Sequence, residues 1–454
     1  MARRMSNSKP PEGVFSFLDT DLYKLTMQCA VLKYFPTVEV EYKFTNRTPQ
    51  MRLNKVAFAW LQQQVKKLGK ITLAQQELEF LRKHCPFLTP DYLDFLQSFQ
   101  LRPEEHVELK FRPVDEFYGD LDITIKGLWV ETIPYEIPLL ALTSEAYFKF
   151  VDQDWDHEGQ EDNAFAKGVE LLKAGCLLSE FGSRRRRDFQ TQDLVIKGLV
   201  RASAEKGLPG KLTGTSNVYF AMRHGIAPVG TVAHEWFMGI AALTGDYENA
   251  NVQGLNYWLD CYGQGVLGIA LTDTFGTADF FRVFNTPIPK KTSSSRDEKS
   301  EQPYDASPAS KQPTYAEVFT GIRQDSGDPK EYVKVAGEFY NSVGISGKTI
   351  VFSDSLDVEK CLEYKKVAEA YGFKPSFGVG TFFTNDFKLK SDMQTKSKPM
   401  NIVIKLSKAG GNPAIKISDN IGKNTGDTDT VEDVKRRLGY LEKQWSAGDE
   451  AKRW

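Results

Sequence analysis

"GVLGIALTD", Gly265 to Asp273, decides how the chain is read. A short apolar run, too brief for a helix, ends in Thr272 and Asp273. Such a run reads as a strand buried on both faces, with its polar residues at the C-terminal end. The pattern recurs on both sides. Upstream lie "LLSEFGS" from Leu177, "KLTGTSN" from Lys211 and "APVGTVAHE" from Ala227. Downstream lie "VFTGIRQDSGD" from Val318, "KTIVFSD" from Lys348 and "PSFGVGT" from Pro375. Most are followed by a stretch that can be helical. Parallel neighbours need a crossover of a dozen or more residues, so this alternation implies a parallel sheet. Seven units, each polar at the same end, predict an α/β fold: an irregular, TIM-like βα barrel of about seven parallel strands with its site at the C-terminal rim. An open doubly wound sheet is the alternative, and it too would place ligands at the strand ends.

Outside this region the texture differs. "DTDLYKLTMQCAVLKYF" carries apolar residues at helical spacing behind Asp19 and Thr20, both good N-cap types. "VEVEYKF" alternates, so Val38, Val40, Tyr42 and Phe44 share one face of a strand. "VAFAWLQQQVKKLG" and "AQQELEFLRKH" read as helices, "VELKFRPV" and "DITIKGLWVE" as strands. An α+β domain over 1–150 follows, completed by about 395–420, beside a barrel over 151–394. Residues 285–313 are rich in Pro, Ser and charge and read as a mobile surface insertion. Residues 421–454 read as a charged, partly helical surface tail.

The 454 residues carry a formal net charge of -2, with 41% hydrophobic and 26% charged residues, the balance of a globular enzyme rather than a nucleic-acid binder. Five scattered cysteines without a CxxC argue against a disulfide framework or structural zinc and for a reducing compartment. "MARRMSNSKPPEG" lacks the apolar core of a secretory signal, and no apolar run reaches the roughly 18 residues of a membrane span. The expectation is a cytoplasmic protein, with a nuclear share left open.

Chemistry concentrates at the strand ends. "IRQDSGDP" places Arg323 and Asp325 on one side of a strand end, where they could hold a phosphate or its Mg²⁺; a solvated turn is the alternative. "VFSDSLD" offers Asp354, or merely a helix cap. Gly378, Gly380 and Thr381 in "SFGVGT" could bring backbone N–H groups to a phosphate, or form a tight loop. Four consecutive arginines, Arg184 to Arg187, cannot all face one site. One or two could bind anions, with the others solvated. Phe181 reads as core on its own. His234 is one of five histidines; "HEWFM" is not HExxH, which excludes a zincin site. It is a buried imidazole or a nucleophile, and the gathering of polar residues on one rim favours the nucleophile.

The motifs "DTDLYKLTM", "EFGSRR", "GTSN", "GTVAHEWFMG", "RQDSGDP", "FSDSLD" and "FGVGT" together resemble the nicotinate phosphoribosyltransferases, those of fungal type above all. The resemblance runs in order from about Phe17 to Lys416. It implies transfer of nicotinate to 5-phosphoribosyl 1-pyrophosphate, with ATP as co-substrate and Mg²⁺ as cofactor. It implies that His234 is phosphorylated and that Asp273, Arg323 and Asp325 act beside it. Tyr23 and Phe181 would stack on the pyridine ring, Tyr23 being supplied across the interface of a homodimer. Arg184, Thr231 and Arg323 would contact nicotinate. Asp325 and Asp354 would hold the metal. Asp354, Gly378, Gly380 and Thr381 would hold the phosphoribosyl group. Ser216 stands where the related nicotinamide enzymes have an Asp, which would repel a carboxylate.

Overall fold

The computed structural model describes residues 11–289, 312–420 and 424–440. In chain order the strands are β1 (Glu39–Asn46), β2 (Leu53–Asn54), β3 (Val107–Pro113) and β4 (Tyr118–Leu128). Then come the short β5 (Leu177–Glu180), β6 (Lys211–Thr215), β7 (Ile269–Leu271), β8 (Gly321–Gln324), β9 (Thr349–Phe352) and β10 (Lys374–Val379). The pair β11 (Phe387–Lys388) and β12 (Lys396–Ser397) precedes β13 (Ile402–Ala409) and β14 (Asn412–Pro413). Two six-stranded sheets result. One is antiparallel, in the order β14-β13-β1-β4-β2 with β3 on β4. In β1, Val40 and Tyr42 are buried and Phe44 half-buried, as alternation requires.

The second sheet is parallel, in the order β6-β5-β10-β9-β8-β7. Leu177, Thr213, Ile269, Arg323, Thr349 and Ser376, one from each strand, line a common cavity, so the sheet curls around it. Its ladder stays open: among the described residues nothing pairs the β6 edge with the β7 edge. The expected count of seven is also corrected. "APVGTVAHE" contributes one parallel bridge, Thr215 to Pro228, and no strand. Pro228 has no N–H to extend a ladder. Gly230 then turns with a φ of 153°, and the helix His234–Thr244 begins. "WVE" after β4 is likewise a helical turn, Trp129–Thr132, and not strand.

The two sheets share a core running from Val14 to Val434. The helix His234–Thr244 packs on β13 and fixes His234 between the sheets. Gly239 lets the same helix lie against Trp129, because a Cβ there would lie 2.4 Å from that ring. Beneath it, the buried Lys24 ammonium sits 2.5 Å from both Glu136 and Glu235. Removing one partner of such a group costs about 3–5 kcal/mol.

The expected insertion lies mostly outside the described residues. Its described ends meet: Pro287 bridges Thr314, and Ile288 N–H donates to Pro313 O at 2.9 Å. Of the tail, residues 421–423 and 441–454 also fall outside. The helix Thr428–Arg437 lies on the surface with Val431 and Val434 turned inward. No helix among the described residues is long and apolar enough to cross a membrane.

Candidate active site

The residues singled out for chemistry line one of two adjoining cavities, except Asp273, Arg186 and Arg187, which are buried. The outer cavity, about 190 Å³, takes His234, Asp325, Asp354, Gly378, Gly380 and Thr381. The deeper one, about 290 Å³, takes Tyr23, Ser216 and Thr231. Phe181, Arg184 and Arg323 line both. The strand ends explain the gathering: each parallel strand stops at the same rim, so the residue after each apolar run faces one opening.

At the outer end His234 opens its helix. Its Nδ1 lies 3.1 Å from Thr274 Oγ1. Its Nε2 lies 2.9 Å from Lys416 Nζ and 3.0 Å from Asp325 Oδ2. The Lys416 ammonium can only donate and the Asp325 carboxylate only accept, so Nε2 stands between a donor and an acceptor, and its lone pair is presented in the tautomer whose proton sits on Nδ1 toward Thr274. Burial, and then Lys416, push the imidazole below its ordinary range, which keeps that lone pair available. Asp325 Oδ1 accepts from Arg323 Nη2 at 2.8 Å and from Ser353 Oγ at 2.7 Å. Burial pushes Asp325 up, but Arg323, His234 and Lys416 outweigh it and hold it well below the usual carboxylate range. Asp273 Oδ2 accepts from Lys416 at 3.1 Å and from Ser326.

His234, Asp273 and Asp325 are grouped closely enough to suggest a metal. Lys416 already stands between His234 and Asp273, and two cations cannot share that space. Asp325 and Asp354 both line the outer cavity, and their carboxylates are the hard oxygen ligands that could hold a Mg²⁺ there. Asp354 lies outside the grouped trio.

The deeper end is built differently. Asp21 occupies the N-cap position of the helix Leu22–Tyr34, yet its side chain makes no cap bond. Its Oδ1 accepts from Ser183 Oγ at 2.7 Å and Ser216 Oγ at 2.8 Å, and the residue lines the cavity. The residues expected to cap do not. Asp19 is locked to Arg186, while Thr20 Oγ1 is buried without a partner. Ser216 therefore does not leave the cavity free of acids, because a carboxyl group stands one hydrogen bond away. Glu136, unremarked in the sequence, lies 3.7 Å from Arg184 Nη1 and accepts from Tyr23 OH at 3.4 Å.

Two further expectations change. The arginine run is not solvated beyond Arg184. Arg186 is 1% exposed in a bidentate pair with Asp19, and Arg187 is fully buried between the Phe148 and Phe387 rings, 4.0 Å from each. Burial draws Arg187 down to about 9. Phe181 is a cavity wall and not core. Gly378 is small for the sake of that ring, since a Cβ there would lie 2.2 Å from Phe181 Cε2. Tyr23 lines the cavity from its own chain.

Lys416 was missed, although a signal existed. It is the one charge in "PAIKIS", between Ile415 and Ile417, both fully buried. A lysine at the centre of an apolar run must have a buried counter-charge. Ile417 N–H donates to Thr274 O at 2.9 Å, which ties this segment to the end of β7 and carries Lys416 to His234.

Comparison with known proteins identifies the family. The model of the nicotinate phosphoribosyltransferase (NAPRTase) family matches residues 176–442, and that of its N-terminal domain matches 18–144. The nicotinate phosphoribosyltransferase of Saccharomyces cerevisiae is 44% identical over 450 residues, covering 97% of this chain and 98% of its own. A solved structure from that organism superposes with a TM-score of 0.87 at 42% identity, covering 95% of this chain and 100% of that one. The nicotinate phosphoribosyltransferase of Porphyromonas gingivalis superposes with a TM-score of 0.80 at 32% identity, covering 94% and 100%. With both of its segments matched and relatives aligned nearly end to end, the chain belongs to the nicotinate phosphoribosyltransferase family.

Proposed function

We propose that the chain joins nicotinate to 5-phosphoribosyl 1-pyrophosphate, giving nicotinate mononucleotide and pyrophosphate, in the biosynthesis of NAD. The pair of adjoining cavities carries this reading. The deeper one, walled by Tyr23 and Phe181 inside an irregular, unclosed barrel of strands, suits a flat ring. The outer one is lined by Arg47, Arg185, Lys405 and Lys416 and suits phosphates. Arg323 stands where the two meet.

The ring nitrogen attacks C1 of the ribose as pyrophosphate departs. Positive charge grows on the ribosyl carbon, and Asp325 and Asp354 line the space it would occupy. Mg²⁺, held by these two carboxylates, would offset the charge of the leaving pyrophosphate. His234 Nε2 takes the terminal phosphoryl group of ATP and ADP leaves; Lys416 then shifts from the nitrogen to the new phosphoryl oxygens. A phosphohistidine adds charge beside the pyrophosphate and so links ATP cleavage to turnover.

Asp21 favours a second reading, because an ionised carboxylate beside Ser216 would accept from the amide of nicotinamide. The deciding experiment measures mononucleotide formed from each base, with and without ATP. Product from nicotinate, stimulated by ATP, is expected. Product from nicotinamide alone would overturn the assignment of the base.

A further inference from the structure

We propose that Asp21 binds the carboxylate of the substrate as an acid: it takes up one proton when nicotinate enters and donates that proton in a hydrogen bond from Oδ2. This rests on nicotinate occupying the deeper cavity.

The geometry leaves one half of Asp21 unused. Oδ1 accepts from two hydroxyls. Ser183 has no freedom to turn away, because its oxygen accepts from Gln192 Nε2 at 3.1 Å and Asn217 Nδ2 at 3.3 Å, so its own proton goes to Asp21. No donor among the described residues reaches Oδ2, although Asp21 is 3% exposed and what remains open faces the cavity. An acceptor with no protein donor, open toward the cavity, has a valence that a ligand or a proton there can complete. The residue also forgoes the helix cap its position offers, a loss of about 1 kcal/mol, which argues for a task elsewhere.

The charges point the same way. Two cations line the cavity, and each already has a partner. Arg323 is paired with Asp325 at 2.8 Å, and Arg184 faces Glu136 at 3.7 Å. Glu136 is also held by Lys24, which Glu235 shares, so with Asp21 ionised the acids Asp21, Asp325, Glu136 and Glu235 outnumber Arg323, Arg184 and Lys24 by one before any ligand arrives. A second carboxylate would then enter against like charge, which protonation of Asp21 removes. Carboxylic acid and carboxylate make a strong charge-assisted bond. The charged and titratable groups about Asp21 are Tyr23 on its own helix, Arg184 after β5, Glu180 at the end of β5 and Glu136 on the helix Glu136–Phe150. Burial pushes Asp21 up, against Ser183, Ser216 and Arg184. Burial also raises Glu180, to about 7, so it is the rival proton acceptor.

The proton comes from solvent on binding and returns on release; no bond other than Oδ2–H forms or breaks. The test is the KM for nicotinate against pH at saturating phosphoribosyl pyrophosphate and ATP, with nicotinate calorimetry in two buffers of different ionisation enthalpy. The wild type should take up close to one proton, and its KM should rise about tenfold per pH unit once Asp21 ionises. Asp21→Asn keeps the acceptor for both serines and replaces Oδ2–H by an N–H donor. It should bind nicotinate with no proton uptake and a KM flat in pH, whereas Asp21→Ala should bind poorly at every pH. Proton uptake that persists in Asp21→Asn would give the role to Glu180 and overturn the proposal. A pH-independent wild-type KM would overturn it too, while a raised KM in Phe181→Ala would keep nicotinate in the cavity. If Phe181→Ala changes nothing, the cavity assignment fails together with the proposal.

Discussion

The two ends of the site are built on opposite plans. At the outer end the groups around His234 are tied to one another: Lys416 pairs with Asp273, Arg323 pairs with Asp325, and the imidazole lies between Lys416 and Asp325. At the deeper end Asp21 has only hydroxyl donors, and one of its oxygens faces open space. The difference separates two tasks. Chemistry requires groups held in advance, since preorganised dipoles cost nothing to reorient during reaction. Recognition requires a valence left for the ligand to complete.

The comparison can be broken most severely at His234. His234→Asn should remove ATP stimulation altogether, a loss on the order of 10³-fold or more in ADP release, while transfer without ATP continues. Equal loss with and without ATP would deny it the phosphoryl role. Lys416→Met should come next. It strands Asp273, 1% exposed, and should cost about 3–5 kcal/mol in denaturant unfolding. Adding Asp273→Asn should recover most of that; no recovery would mean that the two charges are not a unit. At the deeper end, Ser216→Asp sets a second acid beside Asp21. It should lower kcat/KM for nicotinate about tenfold and raise the share of nicotinamide used.

The smallest effect sharpens the contrast through pH. Burial and Lys416 lower His234 from its ordinary value of 6.5, so it protonates later in the folded protein than in the unfolded chain. Stability should therefore fall as pH drops through and below about 6.5. The acid limb of the ATP-stimulated kcat should lie below that value. An acid limb above it would contradict the arrangement around Nε2.

Much of this was legible in the sequence, for local reasons. Apolar runs such as "GVLGIALTD" became short parallel strands, and the residues behind them reached one rim. What was not legible depends on partners far along the chain. Arg186 is buried because Asp19, 167 residues away, meets it. Asp21 looked like part of a helix start, yet its side chain answers to Ser183 and Ser216. "APVGTVAHE" shares the apolar pattern of a strand, but Pro228 and Gly230 deny it a ladder, and with it goes the seventh strand. The resemblance to relatives supplied Tyr23, and Phe181 as well, which read as core on its own.

The clasp of Pro287 and Ile288 on Pro313 and Thr314 has a use for the engineer. The two described ends are anchored to each other, so chain joined between them leaves and returns at one point. Lengthening a loop between fixed ends is cheap, each doubling costing only about 0.6 kcal/mol. A reporter or an affinity handle spliced in between Ile288 and Pro313 should therefore leave both sheets as they are.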